Sequence, residues 1–345
     1  MRVNVYNEWD PVEEIIVGTA QFARIPRFDL GYDAVQGAAP EIAHSILSGP
    51  LPEKIIHETE EDIDNFISEL KKLNIKIVRP DPIHFEDKYK TPDWESDFYF
   101  CYCPRDILLS FSNMMIESPN GFRSRYFETF CYKKLLIEYM QSGANWICAP
   151  KPRLLDDAFN FTDKNKLSLN NVEPIFDAAN VVRAGYDLFY LISDTGNAMG
   201  CEWLQRVLGD KFKVHPCYNL YSSVHMDTTL ALLRPGLALA NPERVFEHNL
   251  PAPLKKWKIL YAPPMVEYKY SDLEPMSSVW LGMNLLMLAP DLAVVDKHQK
   301  PMIELLEKNG INTLPLSLRH ARTLGGGFHC ITLDVRRKGK LENYF

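Results

Sequence analysis

A helix-like segment followed by a short strand-like run and a proline recurs five times along the chain. In the first copy, Phe66, Ile67 and Leu70 keep the spacing of one helix face. The Ile-Lys-Ile-Val run behind them alternates as a strand does. The fourth copy has a shortened helix. The prolines that close the copies are Pro80, Pro150, Pro216, Pro263 and Pro315.

Five such units predict a single closed α/β assembly, because each unit leaves one sheet face for its neighbours to cover. The irregular intervals between the prolines argue against a strict short-period repeat. An ordinary doubly wound sheet also alternates helix and strand, and periodicity alone slightly favours that interpretation. The most polar stretch, residues 159–171, predicts a loop and not a linker, so residues 1–345 are expected to form one domain.

Composition restricts the partners that the protein can have. The 345 residues are 46% hydrophobic and carry a net charge of −7, which argues against nucleic acid or an anionic membrane as the main partner. No apolar run reaches the about 18 residues that span a bilayer, and no signal or transit peptide is recognisable. A cytoplasmic location is therefore expected. The seven cysteines are scattered without a CxxC pair, so neither a disulfide framework nor a zinc site is expected.

Three consecutive glycines, Gly325–Gly327, precede His329 and Cys330 near the end of the chain. Glycine tolerates positive φ and close approach of a ligand, and a strand-like run follows the cysteine. A thiol at such a loop–strand junction is a candidate nucleophile, although buried cysteines more often act as small hydrophobes. A phosphate loop is less well supported, since the GK[ST] motif is absent.

A thiol nucleophile requires a partner for proton transfer, and the segment "SSVHMDTTLALL" contains one. If this segment is a strand, His225 and Asp227 project from the same face. The alternative is a core histidine that a neighbour satisfies. His215 and His329 are weaker candidates. His329 in particular is expected to face away from Cys330, because adjacent strand residues point to opposite faces.

Two more aspartates have similar surroundings: Asp106 precedes an apolar strand, and Asp177 stands among small and apolar residues. Either aspartate could instead be a turn or cap residue. Cys101 and Cys103 flank Tyr102 and are interpreted as packing residues. One thiol and one histidine with several carboxylates exceed what a cysteine peptidase needs. A cationic electrophile such as a guanidinium group would use the additional carboxylates, because it is planar and always charged.

Ten segments resemble, in order, the motifs of the amidinotransferase family, whose members move an amidino group from L-arginine to an amine. The resemblance runs from about residue 4 to the C-terminus. In particular, the sequence looks like the bacterial inosamine-phosphate amidinotransferases of aminoglycoside antibiotic biosynthesis, with glycine amidinotransferase as a relative. The segments are "NEWDPVEEIIVG", "TPDWE", "CPRDILL", "APKP", "FDAANVVRAG", "GNAMGCEWLQ", "HMDTT", "NPERV", "SSVWLGMN" and "LGGGFHCITLDVRR".

The resemblance implies a five-bladed pseudosymmetric α/β propeller of the guanidino-group modifying superfamily, with its active site at the centre. It assigns the nucleophile to Cys330, the general acid/base to His225 and the carboxylate that orients the histidine to Asp177. It implies ping-pong kinetics through an amidino-cysteine, with release of ornithine. A deiminase-like hydrolase that gives citrulline and a non-catalytic guanidino-ligand binder are the alternatives.

The resemblance also assigns the substrate contacts, and it implies no cofactor and no metal. Asp106 and Asp227 would bind the guanidinium group, and Arg244 and Ser278 would hold the α-carboxylate of the donor. Where glycine-using relatives carry Asn-Pro-Met-His, this chain has Ser222 to His225, which argues against glycine as the acceptor.

The amine acceptor is an amino-cyclitol phosphate or another small primary amine. A phosphate would require a basic anchor near the cavity mouth, and four residues are available for it: Lys151, Arg153, Arg183 and Arg319. Homodimers among relatives suggest, by analogy, a homodimer here.

Overall fold

The structure of the protein is a computed structural model that describes residues 2–26, 29–36, 48–83, 88–163 and 165–345. Its fold is mixed α/β. Outside the sheets below, the short elements are the helices Leu30–Gln36, Pro104–Ile107 and Ala321–Leu324, the 3-10 helices Arg123–Arg125, Glu128–Tyr132, Asp156–Ala158, Ala178–Asn180, Met226–Thr228 and Val279–Met283, and the strand pairs Arg24–Ile25 with Gly49–Pro50 and Tyr89–Lys90 with Glu95–Ser96.

Five three-stranded sheets share one pattern, in which the middle strand runs antiparallel to its first neighbour and parallel to its second. In this order, the strands are Thr332–Arg337, Val12–Val17 and Lys76–Val78 in sheet 1; Leu108–Phe111, Met114–Glu117 and Asn145–Cys148 in sheet 2; Val181–Ala184, Asp187–Leu191 and Lys213–Cys217 in sheet 3; Leu230–Arg234, Leu237–Ala240 and Lys258–Tyr261 in sheet 4; and Leu286–Ala289, Leu292–Asp296 and Asn312–Leu316 in sheet 5.

A helix precedes the third strand of every sheet, which confirms the five predicted units. The fourth is a 3-10 helix, as its shortened pattern indicated. None of the helices in the described residues has the length and apolar character that crossing a membrane requires. The helices that precede the third strands of sheets 1 to 5 are, in order, Glu53–Lys72, Lys133–Gln141, Ala198–Leu208, Ala252–Lys256 and Lys300–Lys308.

The prediction of a doubly wound sheet, which periodicity alone slightly favoured, is wrong. Each helix returns the chain to its own small sheet, and the next unit starts a separate one. Alternation of helix and strand is common to both architectures, and only the pairing of strands distinguishes them. The arrangement of the five sheets around one axis stays a prediction, as does the single domain.

The longest helix, Glu53–Lys72, packs against the segment that carries the Cys330 thiol. Its buried face includes Phe66 and Leu70, and two lysines in its last turn complement the helix dipole. The ring of Phe66 meets that of Phe328 edge to face, with centroids 5.2 Å apart. Such a pair adds about 1 kcal/mol beyond the burial of its area. Packing of the predicted helix face thus fixes a residue two positions before Cys330.

The two ends of the chain meet in sheet 1. The last strand, Thr332–Arg337, pairs with Val12–Val17, and Val17 lies opposite Thr332. The Gly18 amide donates a hydrogen bond to the Ile331 carbonyl oxygen over 2.8 Å. Closure of the sheet by the C-terminal strand therefore holds the segment around Cys330 against the first strand of the chain.

A group of five buried charged residues joins sheets 1, 2 and 3, and we refer to it as the ion-pair cluster. Arg183 donates to both carboxylate oxygens of Glu8 over 2.7 Å and to both of Asp334 over 2.9 and 3.0 Å. Arg105 and Arg337 each donate to Asp334 over 2.7 Å. Because all five are buried, each charge depends on its partners in the cluster.

Candidate active site

One cavity of about 380 Å³ brings together most of the residues that the sequence singled out. The residues of its wall come from separate units of the chain, so the cavity exists only in the folded protein. The predicted residues that line it are Asp106, Asp177, His225, Asp227, Ser278 and Cys330.

The thiol of Cys330 is buried at the cavity wall among hydrogen-bonding groups. Its Sγ lies 3.2 Å from Oδ2 of Asp227 and 3.1 Å from Nδ2 of Asn284. Its hydrogen bond with Cys103, its burial and the charge of Asp227 raise its pKa well above the ordinary value, and a hydrogen bond with His225 acts in the opposite direction. These surroundings disfavour ionisation of the thiol in the absence of a bound cation.

His225 is held between two carboxylates. Its Nε2 lies 2.8 Å from Oδ2 of Asp177, and its Nδ1 lies 3.6 Å from Oδ1 of Asp106. Asn120 donates to the other oxygen of Asp177 over 2.6 Å, which fixes that carboxylate. Burial disfavours the charged ring, but Asp106 and Asp177 outweigh burial and hold the pKa of His225 well above its ordinary value. His225 is thus suited to donate a proton to a leaving group.

The predicted strand through His225 and Asp227 is wrong, although both side chains reach the cavity. Met226–Thr228 form a 3-10 helix, and the strand begins only at Leu230. Met226 packs in the hydrophobic core. His225 immediately precedes this 3-10 helix and Asp227 lies within it, so the two residues do not share the face of a strand.

His329 does not turn away from the site, as the strand argument predicted, because the last strand begins only at Thr332. Its Nδ1 lies 3.1 Å from Oδ2 of Asp227, the same oxygen that contacts Cys330, and its Nε2 lies 3.7 Å from Oε2 of Glu8. Burial opposes ionisation of Asp227, but the contacts with His329 outweigh it and hold the pKa of Asp227 well below its ordinary value. Asp227 is therefore a charged carboxylate beside the thiol.

Asp106 is anchored through one oxygen only. Arg125 donates to its Oδ2 over 2.6 Å and also pairs with Glu128. Apart from the longer contact with His225, Oδ1 of Asp106 is buried and has no hydrogen-bond partner among the described residues. A buried carboxylate oxygen without a donor is a site for an incoming N–H group. Arg125 was missed at the sequence level, because its spacing to Glu128 resembles that of a surface ion pair.

Arg244 lies behind the cavity wall, stacked on the Tyr221 ring at 3.6 Å from its centroid. Its Nη1 donates to the carbonyl and hydroxyl oxygens of Thr228, both over 3.1 Å. In the part of the chain that the structure describes, no carboxylate forms an ion pair with Arg244, and burial lowers its pKa. Arg244 does not itself line the cavity, although Tyr221 and Thr228, which it contacts, do. Ser278 lies in the wall at the start of Val279–Met283.

The four basic residues that were available as phosphate anchors do not line this cavity. Arg183 belongs to the ion-pair cluster, and Lys151 lies over the Tyr126 ring. Arg153 pairs with Asp93, and Arg319 pairs with Asp62 and Glu61. Each cation already has a partner elsewhere in the fold.

The three glycines, which tolerate both positive φ and close approach, use these properties at different positions. Only Gly325 adopts one, with φ of 76°. A Cβ at Gly326 would lie 2.5 Å from the Cys103 sulfur, and a Cβ at Gly327 would lie 2.8 Å from Asn284. At the second and third positions, glycine is required for close approach of neighbouring side chains.

None of the described side chains of His, Cys, Asp and Glu form a group of three or more that could hold a metal ion. No family model matches the chain.

The chain is similar to known amidinotransferases over its whole length. It is 50% identical to inosamine-phosphate amidinotransferase 1 of Streptomyces glaucescens over 99% of both chains. It is 37% identical to the mitochondrial glycine amidinotransferase of Gallus gallus over 99% of this chain and 84% of that protein. The solved structure of an inosamine-phosphate amidinotransferase from Streptomyces griseus superposes with a TM-score of 0.96, 51% identity and 99% coverage of both chains.

The fold and the cavity are therefore those of an enzyme that transfers amidino groups. The chain belongs to the amidinotransferase family, as the ten motifs indicated.

Proposed function

We propose that this enzyme transfers the amidino group of L-arginine to an amine acceptor through a covalent amidino-cysteine on Cys330. The observation that carries the proposal is the arrangement around one thiol: a charged carboxylate lies on one side and a histidine held between two carboxylates on the other. A planar cation fits this site, because it can donate to Asp106 and Asp227 together.

Arginine binding prepares the thiol for attack. The guanidinium brings a positive charge next to Cys330 and so offsets the groups that raise the pKa of the thiol. The α-carboxylate of arginine would bind Arg244 and Ser278. The substrate thereby contributes to its own activation. Because His225 is already protonated, the thiol proton passes to solvent as arginine binds.

In the first half-reaction, the Cys330 thiolate forms a bond to the guanidinium carbon and gives a neutral tetrahedral adduct. The bond from that carbon to the ornithine nitrogen then breaks. Protonated His225 gives its proton to this nitrogen, so ornithine leaves as a neutral amine and the amidino group stays on sulfur as a cation. Asp177 orients the ring and stabilises its charged form.

In the second half-reaction, the acceptor amine attacks the same carbon. Neutral His225 takes a proton from the attacking nitrogen, and the bond from carbon to sulfur breaks. The products are the amidinated acceptor, the thiolate and protonated His225. The enzyme has then returned to the state in which the first half-reaction began, and the thiolate takes up a proton from solvent when the product leaves. Water as the acceptor would give citrulline instead.

The acceptor is an amino-cyclitol phosphate or another small primary amine. The names of the inosamine-phosphate relatives and their high identity support the first class. Aromatic residues line the cavity beyond the reacting groups and provide flat walls for a ring: Tyr32, Tyr99, Phe100 and Phe122.

The experiment combines the purified enzyme with L-arginine and a panel of amines, including inosamine phosphates, glycine and lysine. Mass spectrometry reads ornithine, citrulline and amidinated products in one run. Ornithine together with one amidinated amine is expected and identifies the acceptor. Citrulline alone would assign the enzyme to the hydrolases, and binding of arginine without any product would contradict the covalent mechanism.

A further inference from the structure

Asn284 is buried directly against the candidate nucleophile, and no role has been assigned to it so far. It follows the 3-10 helix Val279–Met283, and its backbone N–H donates to the Leu281 carbonyl oxygen over 2.9 Å. Its side chain reaches across to the segment of Cys330, in a different unit of the fold.

We propose that the side-chain amide of Asn284 stabilises the Cys330 thiolate by donating a hydrogen bond to it, and that Gly327 is glycine in order to make room for this amide. The inference rests on the proposed function, because it takes Cys330 as the nucleophile.

The orientation of the amide follows from its other contacts. Oδ1 of Asn284 accepts from the backbone N–H of His329 over 2.9 Å and from that of Cys330 over 3.1 Å. Only the carbonyl oxygen can accept from these two donors, so the NH₂ group is the end that faces sulfur. Nδ2 lies 3.1 Å from Sγ of Cys330. The two backbone contacts fix both the amide and the segment that carries the thiol.

A fixed donor matters because most neighbours of this sulfur oppose its ionisation. Asp227 places a negative charge 3.2 Å from Sγ, and the site is buried. A hydrogen bond to the charged form favours ionisation. A hydrogen bond to a charged acceptor is stronger than one between two neutral groups. Asn284 provides this interaction without adding a charge that would repel the guanidinium of arginine.

Gly327 connects the glycine run to the same amide. A Cβ at position 327 would lie 2.8 Å from both Cβ and Oδ1 of Asn284. Its φ lies outside the left-handed region, so alanine there would displace the amide without straining the backbone. Alanine at 327 should therefore act on the sulfur through Asn284.

The test follows alkylation of Cys330 by iodoacetamide against pH in the free enzyme, with peptide mass spectrometry to separate it from exposed Cys148. In Asn284→Asp, an acceptor remains for the two backbone N–H groups, but the neutral donor to sulfur is replaced by an acid. We expect the midpoint for Cys330 to rise by about one pH unit or more, with an alkylation rate about tenfold lower at neutral pH. The midpoint for Cys148 should not move.

The matched control is Asn197→Asp, the same change at a buried asparagine that also accepts from backbone N–H groups but caps the helix Ala198–Leu208. It should leave the Cys330 midpoint unchanged. Gly327→Ala should raise the midpoint in the same direction, and combining it with Asn284→Asp should add little, because both changes remove one interaction.

An Asn284→Asp protein with an unchanged midpoint would overturn the proposal. If that variant does not fold, an unchanged midpoint in Gly327→Ala would overturn it equally. Because alkylation is measured without arginine, it reports on Asn284 even if the donor substrate is a different compound. Failure of the proposed function would show separately, as turnover that survives Cys330→Ser.

Discussion

Two groups of buried charged side chains lie side by side in this protein, and they differ in how completely they are paired. In the ion-pair cluster, both oxygens of Asp334 and of Glu8 accept from arginine side chains. At the cavity, only Oδ2 of Asp106 accepts a hydrogen bond from the described residues, and Oδ1 has only the longer contact with His225. His329 stands between the groups, with one ring nitrogen towards Glu8 and the other towards Asp227.

The difference separates charges that hold the fold from charges that hold a ligand. A buried charge whose hydrogen bonds are all made within the protein has nothing left to offer a substrate. A buried carboxylate with a free oxygen, next to a cavity and a thiol, retains that capacity at some cost to stability. Burial and charge alone, which both groups share, do not distinguish the two roles.

Removal of the thiol should have the largest effect on activity. We expect Cys330→Ser to lower ornithine release by a factor on the order of 10⁶, the scale known for loss of a catalytic nucleophile. Thermal unfolding should change little, because the hydroxyl retains the size and the hydrogen bonds of the thiol. An equal loss of folding and turnover would contradict the assignment of Cys330 to chemistry.

Asp334→Ala should disrupt the ion-pair cluster and lower the free energy of unfolding. Three arginines would lose their shared carboxylate, and removal of one partner of a buried ion pair destabilises a protein by about 3–5 kcal/mol. Urea unfolding measures this loss. The control Glu202→Ala removes an exposed pair with Arg206 and should change stability by at most about 1 kcal/mol. Equal effects of the two changes would show that the ion-pair cluster does not hold the fold.

Asp106→Asn should affect arginine more than stability. The change removes a charged acceptor for the guanidinium, so kcat/KM for arginine should fall about 10- to 100-fold. Arg125 keeps its pairing with Glu128, so unfolding should be affected less than by Asp334→Ala. A destabilisation as large as that of Asp334→Ala would contradict the distinction between the two groups.

The smallest effect expected is on the pH dependence of the free thiol. Because the pKa of Cys330 is raised, less thiolate is present at any given pH, and alkylation by iodoacetamide should rise with pH through a midpoint above that of free cysteine, about 8.5. A midpoint at or below that of free cysteine would contradict this expectation, and a midpoint below neutral pH would show that the resting enzyme already holds the thiolate without help from arginine.

The five helix–strand units were predictable from sequence, because each carries its own hydrophobic period and its own stop signal. The pairing of the strands was not, since residues distant in sequence provide the partners. Sheet 1 illustrates this, because its first strand, Thr332–Arg337, comes from the opposite end of the chain.

At the site, residue type was informative wherever a group was chemically out of place in its local sequence, as for Cys330, Asp106 and Asp177. Residues whose importance arises only from tertiary neighbours were missed. Asn284 looks like an ordinary turn asparagine until its amide is seen against the sulfur. The available cations could not be placed from sequence for the same reason, since Arg183 and Arg153 pair with Glu8 and Asp93, far away in sequence.

The measurement that tests the covalent mechanism most directly is acid quenching of the enzyme after it meets L-arginine without an acceptor, followed by peptide mass spectrometry. We expect one amidino group on the peptide that contains Cys330, and ornithine released in an amount equal to the enzyme. An unmodified Cys330 in an enzyme that still amidinates an acceptor would contradict the mechanism, because transfer would then pass directly from arginine to the amine.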